Sequence, residues 1–182
     1  KWRLSPLLAI SYLKNSFSQQ WVAGENVTLN VSSYALIESN YAPVNLNLTT
    51  TVAGDAVNSV SNSDLYIKVS SITPGITDRE ISVRISSGVV PDGTQLTLVS
   101  ANSTTTNSGG ALGLADITPI ILSTTDQILV RYIGTCYTGT GYNDGYQMTF
   151  NWELVNPTTD YELLASDTYN IVVVFTLAAH DG

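Results

Sequence analysis

The sequence predicts an all-β fold, two packed antiparallel sheets forming a β-sandwich of jelly-roll type, and three observations carry that expectation. Apolar residues alternate with polar ones along much of the chain, turn-forming residues separate the alternating runs, and no long segment has apolar residues at helical spacing. Such spacing fits two sheets whose inner faces share one core.

The first run is Lys1 to Tyr12. Its even positions are Trp2, Leu4, Pro6, Leu8, Ile10 and Tyr12, against Lys1, Arg3, Ser5, Leu7, Ala9 and Ser11 at the odd ones. This is the period of a pleated strand with one face prepared for a hydrophobic groove. Two placements follow: an ordinary first strand of its own sheet, or an arm (residues 1–13) donated to a neighbouring subunit, leaving 14–182 as the sandwich. Fully extended, the run reaches roughly 40 Å at about 3.3 Å per residue, enough to pass from one small domain into the next.

Further strands are expected at Val27, Leu29 and Val31, at Val44, Leu46 and Leu48, at Leu65 to Val69, and at Ile81 to Ile85. Leu96 with Leu98, Ile120 to Leu122, Ile128 to Ile133, Tyr146 to Leu154 and Tyr169 to Leu177 complete about ten. Turns fall at Pro74-Gly75, Pro91-Asp92-Gly93, Asn143-Asp144-Gly145 and Asn156-Pro157. The Ser/Thr/Asn/Gly tract 101–110 reads as a flexible surface loop. Only Ser33 to Glu38 or Tyr161 to Ala165 offers a short helix.

Composition narrows the function classes. Of 182 residues, 43% are hydrophobic and only 12% charged, about half the usual charged share. Ser, Thr, Asn, Gly and ten Tyr occupy the remaining surface, which suits packing against other subunits or sugar. With fifteen carboxylates against seven basic side chains, the net charge is −8 and no basic run exists to neutralise phosphates, so nucleic acid is not an expected partner. Close packing of such subunits sets like charges within the ~10 Å screening length, a repulsion that cations relieve. No apolar stretch of about eighteen residues exists to span a membrane. The opening at Lys1 fits removal of a secretory signal, so an extracellular, secreted protein is the expectation. Asn26, Asn30, Asn47 and Asn102 begin Asn-X-Ser/Thr sequons, candidate glycan sites.

No enzyme is expected. The one histidine, His180, is third from the end of the sequence and reads as a solvated tail residue, and the one cysteine, Cys136, reads as a small buried hydrophobe. Oxygen chemistry for a hard cation remains. Asn143 and Asp144 in the Gly139–Gly145 loop, and the i, i+2 pairs Asp160 with Glu162 and Asp78 with Glu80, are the candidate calcium ligands, the pairs because a strand puts both carboxylates on one face. The alternative for Asn-Asp-Gly is a plain hairpin turn.

The N-terminal run, Ser16-Phe-Ser-Gln-Gln-Trp-Val-Ala-Gly-Glu-Asn-Val-Thr-Leu-Asn-Val31, the segment Ile72 to Ile85 and the closing Asp167 to Leu177 together resemble the TasA/camelysin-like filament subunits, and within them the cannula-forming proteins of hyperthermophilic archaea. The resemblance implies a jelly-roll subunit that donates its N-terminal strand to an identical subunit, with calcium promoting assembly of an extracellular tube. Trp2, Leu4, Leu8, Ile10 and Tyr12 would form the donated face. The low charge content departs from the usual hyperthermophile composition. A carbohydrate-binding β-sandwich, with Trp21, Trp152 or Tyr rings stacking on sugar and a structural calcium, is the competing expectation.

Overall fold

The computed structural model describes residues 27–75, 77–104 and 106–180. The expected arm with Trp2, Leu4, Leu8, Ile10 and Tyr12 lies outside them, as do Trp21 and Asn26. The chain divides into two units after Val31. In the first, Val27 to Val31 form no strand. The alternation there is real, but these residues pair with no strand among the described residues, and alternation without a ladder is not a strand.

The second unit is the expected two-sheet antiparallel sandwich. Its strands are β1 (Tyr34–Ser39), β2 (Val60–Ile72), β3 (Arg79–Ser87), β4 (Thr94–Ser100), β5 (Gly109–Gly110), β6 (Leu114–Ala115), β7 (Ile120–Ile121), β8 (Gln127–Ile133), β9 (Cys136–Tyr137), β10 (Tyr146–Leu154) and β11 (Val172–Ala179). Seven strands make the larger sheet, in the order β5-β9-β2-β10-β4-β7 with β1 also paired to β2. Four make the smaller one, β11-β3-β8-β6.

Alternation decides what each strand buries. In β2, Leu65, Ile67, Val69 and Ser71 are buried while their neighbours are not, and β10 buries Tyr146, Met148, Phe150 and Leu154. These two strands pair from Tyr146↔Ile67 to Trp152↔Val60, with a register shift between Met148 and Phe150. Leu96 and Leu98 of β4 extend the same inner face, and Ile81, Val83 and Ile85 of β3 with Leu129, Val130 and Ile133 of β8 supply the facing one. The core is the cluster between them.

Two further expectations are corrected. Ser33 to Glu38 is not helical: Tyr34 to Ser39 pair with Ile72 to Ile67, so the edge of β2 overrides a weak local preference. Val44, Leu46 and Leu48 alternate in burial as a strand would, yet residues 43–48 join no ladder among the described residues. Tyr161 to Leu163 do form a short 3₁₀ turn, and β11 begins at Val172, with Tyr169 and Ile171 leading into it.

Candidate functional site

Among the described residues, side chains of both sheets and of residues 42–46 line a groove of about 340 Å³. Leu65 of β2, Leu96 of β4 and Phe150 and Trp152 of β10 contribute one face of it. Val173 and Phe175 of β11, with Ile171 just before it, contribute another, with Tyr169 and Pro91 nearby, and Ala42, Val44 and Leu46 complete the lining. No lining residue carries a carboxylate, carboxamide or guanidinium. Apart from the Tyr169 hydroxyl and the Trp152 indole N–H, which donates to Thr94 Oγ1 at 2.9 Å, the lining residues have only backbone N–H and C=O as polar groups.

One wall is set by a turn the sequence does not advertise. Asn40, buried at 7% exposure, ends β1 and uses its side chain in place of a further strand residue. Its Nδ2 donates to the Asp64 carbonyl at 2.8 Å, and its Oδ1 accepts from the Tyr66 N–H at 3.0 Å and the Ala42 N–H at 3.3 Å. Tyr41 follows at φ 57°, a left-handed conformation uncommon outside glycine and asparagine. Its hydroxyl donates to Glu38 Oε1 at 3.2 Å, and that hydrogen bond, with the Glu38 charge, holds the phenol above its ordinary range. The chain is thereby turned off β2 and along the groove as residues 43–48. There Val44 and Leu46 are half-buried against the core, Asn45 and Asn47 are exposed, and no backbone hydrogen bond is made from 43 to 48 among the described residues.

The opposite feature is an edge that has no partner among the described residues. Among the described residues β11 pairs with β3 alone, from Val172↔Ser87 to Ala179↔Arg79. Its sequence, VVVFTLAA, holds no charge, proline or glycine, the devices that ordinarily keep an edge strand from pairing.

The sequence-predicted cation ligands fall in three places. Asp144 is buried, its Oδ2 accepting from the Gly141 N–H at 2.6 Å, and Asn107 Nδ2 donates to both carboxylate oxygens at 3.1 and 3.3 Å. Asn143 beside it is exposed. This ties the tract 101–110 to the Gly139–Gly145 turn, so the tract is not the free loop its composition suggests. Asp160 and Glu162 are not on a strand: Asp160 precedes the 3₁₀ turn and accepts from the Asn156 N–H at 3.0 Å and the Thr159 hydroxyl at 3.0 Å, while Glu162 lies within it, exposed. Glu80 is on β3 and Asp78 just precedes it. Glu80 Oε2 lies 2.7 Å from His180 Nδ1, and the His180 N–H donates to the Asp78 carbonyl at 3.1 Å. His180 is therefore no solvated tail residue: it prolongs the β11–β3 edge, half-buried, with Tyr132 edge-on at 5.7 Å. Among the described residues no three His, Cys, Asp or Glu side chains gather as a metal-binding group.

Of the described sequons, Asn30, Asn47 and Asn102 are exposed, and Asn102 Oδ1 accepts from the Ala115 N–H at 2.9 Å. Cys136 is buried, as expected, beside Tyr146, whose hydroxyl donates to the Leu112 carbonyl. Burial pushes the Cys136 thiol up. Burial, then the nearby Cys136 charge, pushes the Tyr146 phenol up. No helix among the described residues is long and apolar enough to cross a membrane.

No protein-family model matches the chain, no curated protein matches it, and no solved structure matches it.

Proposed function

We propose that the chain is a structural subunit of a secreted filament or tube, polymerising when the Lys1 to Tyr12 segment of one copy enters the groove of the next. The observation that carries this reading is the character of the groove: apolar side chains on its faces, backbone groups as nearly all its polar content, and β11's uncharged edge beside it. A strand is the ligand that uses all three, because alternate side chains fill apolar slots while its backbone extends a ladder. The even positions of the segment present Trp2, Leu4, Leu8, Ile10 and Tyr12 for that purpose. Burying five such side chains contributes on the order of 10 kcal/mol at about 1.5 to 3 each, an upper bound before ordering entropy. The subunit would be a jelly-roll domain in the sense of the filament proteins it resembles.

A carbohydrate module is the weaker reading. Trp152 and Tyr169 offer rings for stacking, but sugar hydroxyls brought into this groove would meet no amide, carboxylate or guanidinium side chain, and burying them unpaired is costly.

Calcium enters the proposal through charge and not through a preformed site. A net charge of −8 makes close subunit contact repulsive, and a divalent ion shared by exposed carboxylates of two copies relieves it. The three candidate pairs do not converge into one ligand set, and Asp144, Asp160 and Glu80 already have partners within the subunit.

Electron microscopy and light scattering of the purified chain, with calcium, with magnesium and with chelator, test the reading. Ordered polymers that form with calcium and disappear when Lys1 to Tyr12 are deleted are expected. Identical polymers from the truncated chain overturn strand donation, and monomers under every condition overturn the structural role.

A further inference from the structure

We infer that residues 43–48 are the missing second edge of the groove: on assembly they become a strand, so that the incoming segment is hydrogen-bonded on both sides, to β11 and to 43–48. This rests on the strand-donation reading above.

Three observations converge. Val44 and Leu46 share the groove with Val173 and Phe175, so 43–48 and β11 border the same space. Burial along 43–48 alternates with period two, half-buried at Val44, Leu46 and Leu48 and exposed at Pro43, Asn45 and Asn47, the pattern of a strand with one face on a core. Its backbone nevertheless makes no hydrogen bond among the described residues, and β11 makes none on its far side beyond β3. Side chains placed for a sheet, with a backbone that has no ladder among the described residues, are what a strand lacking its neighbour presents. The segment is held ready: Asn40 and Tyr41 fix its start, and the Asn58 N–H donating to the Thr49 carbonyl at 3.0 Å fixes its end.

A plug that swings away on assembly is the opposing arrangement, and the two differ in what the amides do. In a strand, N–H groups of successive residues point to opposite edges, so pairing on one new edge protects alternate amides only. Hydrogen–deuterium exchange at residue resolution is measured on the full chain as dilute subunit and after calcium-induced polymerisation.

The expected result is that alternate amides within 44–48, either the even set or the odd set, slow by about tenfold or more in the polymer, together with amides of Val172–Ala179 and of residues 1–12. Slowing at β11 and at residues 1–12, with 44–48 unchanged or faster, leaves strand donation standing and overturns the second edge. No slowing in any of the three segments removes strand donation and the second edge with it. Slowing of all three already in the dilute subunit assigns the slot to the chain's own segment and overturns pairing between copies.

Discussion

Asn40 occupies the position in the β1–β2 ladder that a backbone would otherwise fill, its side chain bonded at once to the Asp64 carbonyl and the Tyr66 N–H. A carboxamide suits the task because it carries a donor and an acceptor side by side, as a peptide unit does. Replacing it leaves two strand groups and the Ala42 N–H without partners. Asn40→Ala is therefore expected to cost about 2 to 4 kcal/mol, at roughly 1 kcal/mol per bond plus the cost of unpaired part-buried groups. Urea denaturation of the wild type and variant checks this, and a cost below about 0.5 kcal/mol would show that water replaces the side chain freely.

Asp144 is expected to behave as a turn staple and not as a calcium ligand. Its carboxylate holds the Gly141 N–H and Asn107, and hydrogen bonds to a charged group are worth about 1.5 to 3 kcal/mol. Asp144→Ala should lower stability by about 2 to 3 kcal/mol, and Asp144→Asn by less, since one acceptor oxygen survives. The calcium concentration at half-assembly should not move in Asp144→Asn. A shift to higher calcium in a light-scattering titration would return the residue to the cation.

The alkaline limb of stability should belong to Cys136 and Tyr146. Both are acids whose folded values are raised above the ordinary 9.0 and 10.0, so above those values the unfolded chain loses protons that the folded chain keeps. Their contribution to stability is complete below pH 9, and falls as pH rises through 9 for the thiol and 10 for the phenol. Melting temperature is expected to be flat with respect to these two groups up to about pH 9 and to decline beyond it. In Cys136→Ala the decline should begin nearer pH 10, and an unchanged onset would remove the thiol from the account.

Trp152 reports on the groove it lines. A strand laid over it excludes water from the indole face, so in a chain carrying Trp2→Phe and Trp21→Phe its emission should shift to shorter wavelength on assembly, with acrylamide quenching reduced several-fold. Unchanged emission in polymers visible by electron microscopy would place the subunit contact elsewhere.

The sandwich was legible because its long strands are half-buried and alternate cleanly. Ile81 to Ile85 and Tyr146 to Leu154 are found where the pattern puts them. Less was legible where pairing, not pattern, decides. Tyr34 to Ser39 is strand because β2 offers an edge, and the polar start of β2 is strand because β10 pairs with Val60 to Asn62. Two-residue strands such as Gly109–Gly110 have no period to read. Val44 to Leu48 shows the converse, a strand pattern with no ladder. The groove was not legible at all, since it joins residues from 42 to 175 that no spacing relates. Nor was Asn40, whose role depends on a partner strand more than twenty residues ahead, or His180, which is fixed by Glu80 a hundred residues before it.

The lone thiol gives the molecule an internal clock. Cys136 sits on β9, between β5 and β2, and is 5% exposed, so an external reagent reaches its sulfur only when that stretch parts from its neighbours. With a single cysteine in the chain, the rate of modification reads one local opening event, undiluted by others. Comparing that rate in free subunits and in polymers separates tightening confined to the groove from tightening that spreads across β2 to the far side of the sheet.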